Sequence, residues 1–132
     1  MQIIKTVWVN GCFDVLHRGH IELLKFAKSQ GTFLIVGVDT DDRIKEMKGI
    51  FRPFNNQEDR VFFLESIGYV DHVVLYSSDE ELEKKLSHVN PDIMVVGSDY
   101  KDKKVIGSQH AKKLIFFDRI KGYSTTKILE NK

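Results

Sequence analysis

The sequence predicts a doubly wound α/β domain: a five-stranded parallel sheet with helices on both faces. Three observations lead there. Five short apolar runs, Ile3–Val9, Phe33–Val38, Val70–Tyr76, Ile93–Val96 and Leu114–Phe117, are mostly continuous and favour Val and Ile, as strands buried on both faces do. Helix-patterned segments separate them, and that alternation makes parallel strands joined by right-handed crossovers. Glycines and polar residues gather just after the runs end, where open α/β sheets hold their ligands.

Each element has its own justification. The first run leads into Asn10-Gly11-Cys12-Phe13-Asp14, a tight turn. The helix expected over 18–30 carries Ile21, Leu24 and Ala27 on one stripe, backed by Leu23 and Phe26, and ends at Gly31. A helix over 40–47 follows the second strand, and residues 48–55 form the longest loop. Asn55-Asn56 are good caps for a helix over 57–67 that turns Val61, Leu64 and Ile67 inward. Ser78-Asp79 open a helix over 79–88, which stops before Asn90-Pro91 because proline disfavours continuation. A weaker helical stretch lies near 103–112. A last short helix starts at Ser124-Thr125-Thr126 and runs through Ile128-Leu129. Residues 1–132 read as one domain.

Composition narrows the function classes. The 20 Lys and Arg against 19 Asp and Glu give a net charge of +1, so bulk charge does not suggest a nucleic-acid partner. Phosphate binding must then come from a local cluster. The single cysteine, Cys12, excludes an internal disulfide and fits a reducing compartment. No apolar run approaches the ~20 residues needed to span a bilayer, and Met1–Lys5 lacks signal-peptide anatomy. The expected location is cytoplasmic, with no membrane partner.

The chemistry concentrates after the first strand. His17 and His20, three apart, share one face of a helix's first turn, where backbone N–H groups point outward and attract anions. Gly19 between them lets a ligand approach the backbone. The pair can donate to a phosphate oxygen whose charge grows in a transition state, or simply cap the helix, or join Cys12 on a metal. Asp14 beside such a corner either mediates through Mg²⁺ or caps N–H groups of the turn. A second cluster, Arg119, Lys121, Ser124, Thr125 and Thr126, offers hydroxyls and cations at a helix start. Lys48, Arg52 and Arg60 surround the long loop and suit closure over a polyphosphate. Gly97-Ser98-Asp99-Tyr100 offers close backbone approach and one carboxylate for a hydroxyl or amino group.

Gly11-Cys12-Phe13-Asp14, His17, Gly19-His20 and the distant Ser124-Thr125-Thr126 together resemble the cytidylyltransferase-like nucleotidyltransferases, over nearly the whole chain. The resemblance implies a Rossmann-like domain that transfers a nucleotidyl group from a nucleoside triphosphate to a phosphorylated sugar or polyol and releases pyrophosphate. It implies that His17 and His20 stabilise the α-phosphate transition state, and that Lys48 and Arg60 bind and position phosphates. Asn10, Gly11, Cys12, Phe13, Gly19, Gly97, Asp99, Arg119, Ser124, Thr125 and Thr126 would bind nucleotide. A divalent cation such as Mg²⁺ and a homodimer are further expectations, and a non-catalytic nucleotide-binding module is the remoter one. Lys48-Gly49, Arg52-Pro53, Asn55, Gly97-Ser98-Asp99-Tyr100 and Ile106-Gly107 resemble the adenylyltransferase domain of ADP-heptose synthases. Val96 stands where those enzymes carry a lysine. Arg119, Gly122 and Ser124-Thr125-Thr126-Lys127-Ile128 look closer to glycerol-3-phosphate cytidylyltransferases. ATP with a heptose 1-phosphate is the leading expectation, and CTP with glycerol 3-phosphate the alternative.

Overall fold

The computed structural model describes residues 3–118. Strands β1 (Thr6–Gly11), β2 (Phe33–Asp39), β3 (His72–Tyr76), β4 (Ile93–Gly97) and β5 (Lys113–Phe117) form one parallel sheet in the order β3-β2-β1-β4-β5. Helices α1 (Arg18–Ser29), α2 (Asp41–Lys48), α3 (Gln57–Glu65) and α4 (Asp79–Val89) lie in the connections. The chain winds outward from β1 to β3, then returns to the other side of β1 with β4. That reversal opens a crevice at the carboxyl ends of β1 and β4. No described helix is long and apolar enough to cross a membrane.

Both sheet faces are apolar because alternate residues of each strand point to opposite sides. Val7, Val9, Leu34, Val36, Val38, Ile93 and Val95 pack with Leu24 and Ala27 of α1 and Leu64 of α3. Trp8, Ile35, Tyr76 and Met94 pack on the opposite face with Leu82 and Leu86 of α4. Gly37 makes the second face possible near the site. A Cβ there would stand 2.6 Å from Trp8 Cζ2 and 3.1 Å from Asn10 Cβ and Tyr76 Cε1. With no side chain on β2 at that point, residues of β1 and β3 meet across it.

The expected elements occur with shifted ends. Asn56 and Ser78 cap α3 and α4, accepting from Asp59 N–H and Glu81 N–H. Asn90 ends α4 in the left-handed region (φ 45°), a conformation asparagine tolerates better than most residues. Strand β1 begins at Thr6, leaving Ile3 and Ile4 80% and 74% exposed. The helical stretch expected near 103–112 is a correction. The β4–β5 connection instead holds two single 3-10 turns, Ser98–Tyr100 and Ser108–His110. Gly107, at φ 80°, breaks any longer helix and lies so close to α4 that a Cβ would meet Leu86 at 2.3 Å.

Two carboxylates tie strand starts together. Asp71 accepts from Leu34 N–H and pairs with Lys28, while Asp92 accepts from Thr6 N–H at 2.8 Å and pairs with Lys112. The Thr6 N–H and the Lys112 ammonium hold the Asp92 carboxyl below its ordinary value. For Asp71, burial pushes upward, but the bonds from Lys28 and Leu34 outweigh it and the net shift is also down. A depressed folded value gives stability that is complete above the unfolded value of 3.8 and lost as pH falls through the folded one. Asp92→Asn should therefore destabilise the fold in urea titrations at pH 7, and its deficit against wild type should narrow below the ordinary carboxylate range.

Candidate functional site

The turn after β1 is strained, and the strain is held by one carboxylate. Phe13 and Val15 lie in the left-handed region, at φ 51° and 49°, on either side of Asp14. For a β-branched residue this costs on the order of 1–3 kcal/mol and persists only where its surroundings impose it. Asp14 is 2% exposed. Its Oδ2 accepts from Phe54 N–H at 2.7 Å and its Oδ1 from Asn55 N–H at 2.8 Å, with Arg52 Nε at 3.8 Å. The turn is thus bolted to the long loop forty residues away. The capping reading of Asp14 is the nearer one, although the N–H groups it caps lie in a distant segment. Mediation through Mg²⁺ carried by a triphosphate is the other expectation for Asp14, and both its oxygens already accept from backbone N–H groups. Among the described residues no three His, Cys, Asp or Glu side chains come together to hold a metal ion, so the Cys12-His17-His20 alternative falls.

The two histidines form a reciprocal cap. His17 Nδ1 accepts from Gly19 N–H at 2.9 Å, and His20 Nδ1 accepts from His17 N–H at 3.1 Å. A nitrogen that accepts carries no proton, so both rings are the neutral tautomer with the proton on Nε2. The rings stack at a centroid distance of 3.9 Å, and His20 also meets Phe13 at 5.6 Å. The capping and phosphate-donating readings are therefore compatible. Nδ1 serves the helix and Nε2 carries the proton. Both rings line a cleft of about 470 Å³ at the carboxyl edge of the sheet.

Most of the expected residues converge on this cleft. Asn10, Gly11, Cys12 and Phe13 line it from the β1 turn, Gly19 from α1, and Gly97 and Asp99 from the end of β4. Lys48 enters from the last residue of α2, with its ammonium beside the Cys12 thiol. Arg60 is the correction. Its side chain is 0% exposed and does not reach the cleft. Nε donates to Asn55 O, Nη1 to Cys12 O and Asp39 O, and Nη2 to Asp41 Oδ1, at 2.7–3.0 Å. Its charge is spent fastening the turn, the end of β2, the loop and α2 together. Arg52 is less fully matched: its Nε stands 3.8 Å from the Asp14 carboxylate, and Nε and Nη2 are buried without a hydrogen-bond partner. Arg119, Ser124, Thr125 and Thr126 lie outside the described residues.

Sequence reasoning missed the opposite wall. Asp39, Arg43, Tyr76 and Lys104 line the cleft without belonging to any motif. Their signal was positional, since Asp39 and Tyr76 are the last residues of β2 and β3 and pair across the sheet. Burial first, then Asp39, pushes the Tyr76 hydroxyl above its ordinary value. The same two causes push the Cys12 thiol up to about 11, against an opposing pull from Lys48. Cys12 should then alkylate with iodoacetamide roughly 100-fold more slowly at pH 8 than an unperturbed thiol. Its rate should rise about tenfold per pH unit and level off near 11.

The comparisons with known proteins agree with this geometry. The chain is 42% identical over 126 residues to the bifunctional protein HldE of Campylobacter concisus, and 47% identical over 126 residues to that of a Nitratiruptor species. Each alignment covers 96% of this chain but only 26% and 27% of the relative. The chain thus spans about a quarter of the length of these curated relatives. The lipopolysaccharide core biosynthesis protein of Thermoplasma volcanium superposes with a TM-score of 0.69 at 26% identity, over 92% of this chain and 99% of that one. Pantothenate synthetase of Thermus thermophilus, at 16% identity, shares the fold, with a TM-score of 0.61 over 88% of this chain and 56% of that one. The cytidylyltransferase-like family model matches residues 8–131. With its Rossmann-like sheet and its histidine-capped helix at the cleft, the chain belongs to the cytidylyltransferase-like family of nucleotidyltransferases.

Proposed function

We propose that this domain adenylylates a heptose 1-phosphate. An oxygen of the acceptor phosphate attacks the α-phosphorus of ATP, a P–O–P bond forms, and the bond to the departing pyrophosphate breaks. The observation that carries the reading is the histidine pair at the mouth of α1, whose caps place the proton of each ring on Nε2. An acceptor phosphate is already anionic at neutral pH, so the step needs alignment and charge neutralisation rather than a strong base. The Nε2–H donors and the N-terminus of α1 suit α-phosphate oxygens as their charge grows. Lys48 suits the acceptor phosphate. Mg²⁺ would enter with the triphosphate and neutralise part of its charge.

The choice of acceptor and nucleotide rests on the likeness to the HldE proteins and on the motifs shared with ADP-heptose synthases. Glycerol 3-phosphate with CTP is the second reading, favoured by the Arg119–Ile128 stretch. Pyrophosphate release should be seen with ATP and heptose 1-phosphate and should exceed that with CTP and glycerol 3-phosphate. The reverse order would select the second reading, and release with neither pair would favour a non-catalytic module. His17→Asn separates the two duties of that ring. Asparagine caps helices well, so stability should change by only a few tenths of a kcal/mol, whereas His17→Ala should cost about 1 kcal/mol. Both should lose about 100-fold or more in turnover, the scale of one missing transition-state donor.

A homodimer forms part of the same proposal. Ile50, Phe51, Phe54 and Phe62 expose 79%, 90%, 69% and 65% of their surface. Large apolar groups exposed together mark interaction surfaces, and a second copy would cover them beside the loop that Asp14 holds. Phe51→Asp should shift sedimentation from dimer to monomer without altering the circular dichroism spectrum. A wild-type monomer would end this part of the proposal.

A further inference from the structure

The wall of the cleft opposite α1 carries a chain of donors that all run toward one carboxylate. Trp8 Nε1 donates to Asn10 Oδ1 at 2.8 Å, and Asn10 Nδ2 to Tyr76 Oη at 3.2 Å. The Tyr76 hydroxyl lies beside Asp39, and burial, then the charge of Asp39, push it above its ordinary value. Cys12 Sγ donates to Asp39 Oδ2 at 3.2 Å and Arg43 Nε to Asp39 Oδ1 at 2.7 Å. Asp39 is 5% exposed and lines the cleft. With roughly four acceptor positions on a carboxylate, the two bonds from Cys12 and Arg43 leave acceptor capacity for a ligand.

Charge decides what that ligand can be. Arg43 is held between Asp39 and Asp79, whose Oδ1 accepts from Nη2 at 2.6 Å, and its guanidinium lies 5.4 Å from the Tyr76 ring centroid. One cation between two carboxylates gives this cluster a net charge of −1. A phosphate or carboxylate placed against it would meet a like charge in a partly dry site. A hydroxyl group, by contrast, donates to the open acceptor position. Lys48, beside Cys12, is a cation at this wall that can take a phosphate. The wall thus has a place for one phosphate and, next to it, a place only for neutral donors.

We propose that Asp39, braced by Arg43 and Tyr76, is the specificity-determining residue for the acceptor. It reads a hydroxyl of an uncharged polyol body lying against the ends of β2 and β3, with the phosphate of that acceptor at Lys48. The inference rests on the sugar- or polyol-phosphate reading above. It adds that the acceptor carries no second acidic group at this end, so that sugar monophosphates are accepted and uronic acid phosphates refused. By the reading above, the α-phosphate of the nucleotide lies at the histidine cap, which lines the same cleft.

Titration calorimetry of the whole chain with ATP, heptose 1-phosphate, glycerol 3-phosphate and glucuronic acid 1-phosphate, each in turn, tests it. Wild type should bind heptose 1-phosphate and not glucuronic acid 1-phosphate. Asp39→Asn should weaken heptose 1-phosphate about tenfold, the scale of one hydrogen bond to a charged group, while ATP stays within about twofold of wild type. The same variant should admit the acidic sugar. Tyr76→Phe keeps the ring and removes one brace, and should weaken heptose 1-phosphate in the same direction by a smaller factor. Unchanged heptose 1-phosphate binding in both variants overturns the assignment, as does a loss shared equally with ATP, which would mark a structural role. Wild type that binds ATP but neither heptose 1-phosphate nor glycerol 3-phosphate would overturn the acceptor reading itself, and the role of Asp39 with it. That outcome is read before any variant is made, so the two failures are distinct.

Discussion

The guanidinium of Arg60 is the point where the active edge of the sheet is joined. Removing a cation from water costs several kcal/mol unless its donors are matched. Here they are matched by Cys12 O, Asp39 O, Asn55 O and the Asp41 carboxylate, with no exposed surface remaining. Those four partners belong to the turn after β1, the end of β2, the long loop and the start of α2. Without that charge four segments lose their common anchor, and the carbonyls that accept from it lose their partners. Asp14 repeats the design with opposite sign, since its carboxylate collects N–H groups of the same loop. One buried charge of each sign therefore sets the shape of the cleft.

Given that frame, the histidine corner follows from local chemistry. The strained turn through Phe13 and Val15 delivers the chain to His17 at the angle α1 requires. Each imidazole then uses one nitrogen to end the helix and carries its proton on the other. A helix that needs its caps also fixes the tautomer of its histidines, so folding and preorganisation come from the same two hydrogen bonds. The remaining cleft divides by charge. Histidines and Lys48 suit phosphates, and the Asp39 cluster suits hydroxyls.

Much of this was legible in the sequence for physical reasons. Continuous Val- and Ile-rich runs announce strands buried on both faces, and the caps Asn56, Ser78 and Asn90 announce helix ends. His17, His20 and Gly19 could be assigned to one helix start because residues three apart adjoin there, and the structure places His17 at the N-cap, one residue before α1, with His20 in its first turn. Lys48 and the Gly97–Asp99 turn reach the cleft because strand ends gather there. Arg60 could not be judged the same way. A cation three residues into a helix looks alike whether it meets phosphate or backbone carbonyls, and only the packing of α3 under the sheet edge turned it inward. The stretch 103–112 misled for the converse reason, since its helical pattern is interrupted at Gly107 by a contact with α4.

What the sequence determined by itself was the set of periodic, local features: strand and helix identity, the capping residues, the histidine spacing and the family to which they belong. These depend on neighbours a few positions apart, where hydrophobic period and cap chemistry act directly. Tertiary structure alone decided which charges are spent inside and which remain for ligand. Arg60 and Asp14 closed on backbone groups from distant segments. Asp39, Tyr76, Arg43 and Cys12 came together only because the β2–β3 register and the bare Cα of Gly37 let their strands' side chains meet. Arg43 lies only four residues from Asp39, but Cys12 reaches Asp39 across 27 residues and Asn10 reaches Tyr76 across 66, beyond any pattern that a local reading of the chain can register.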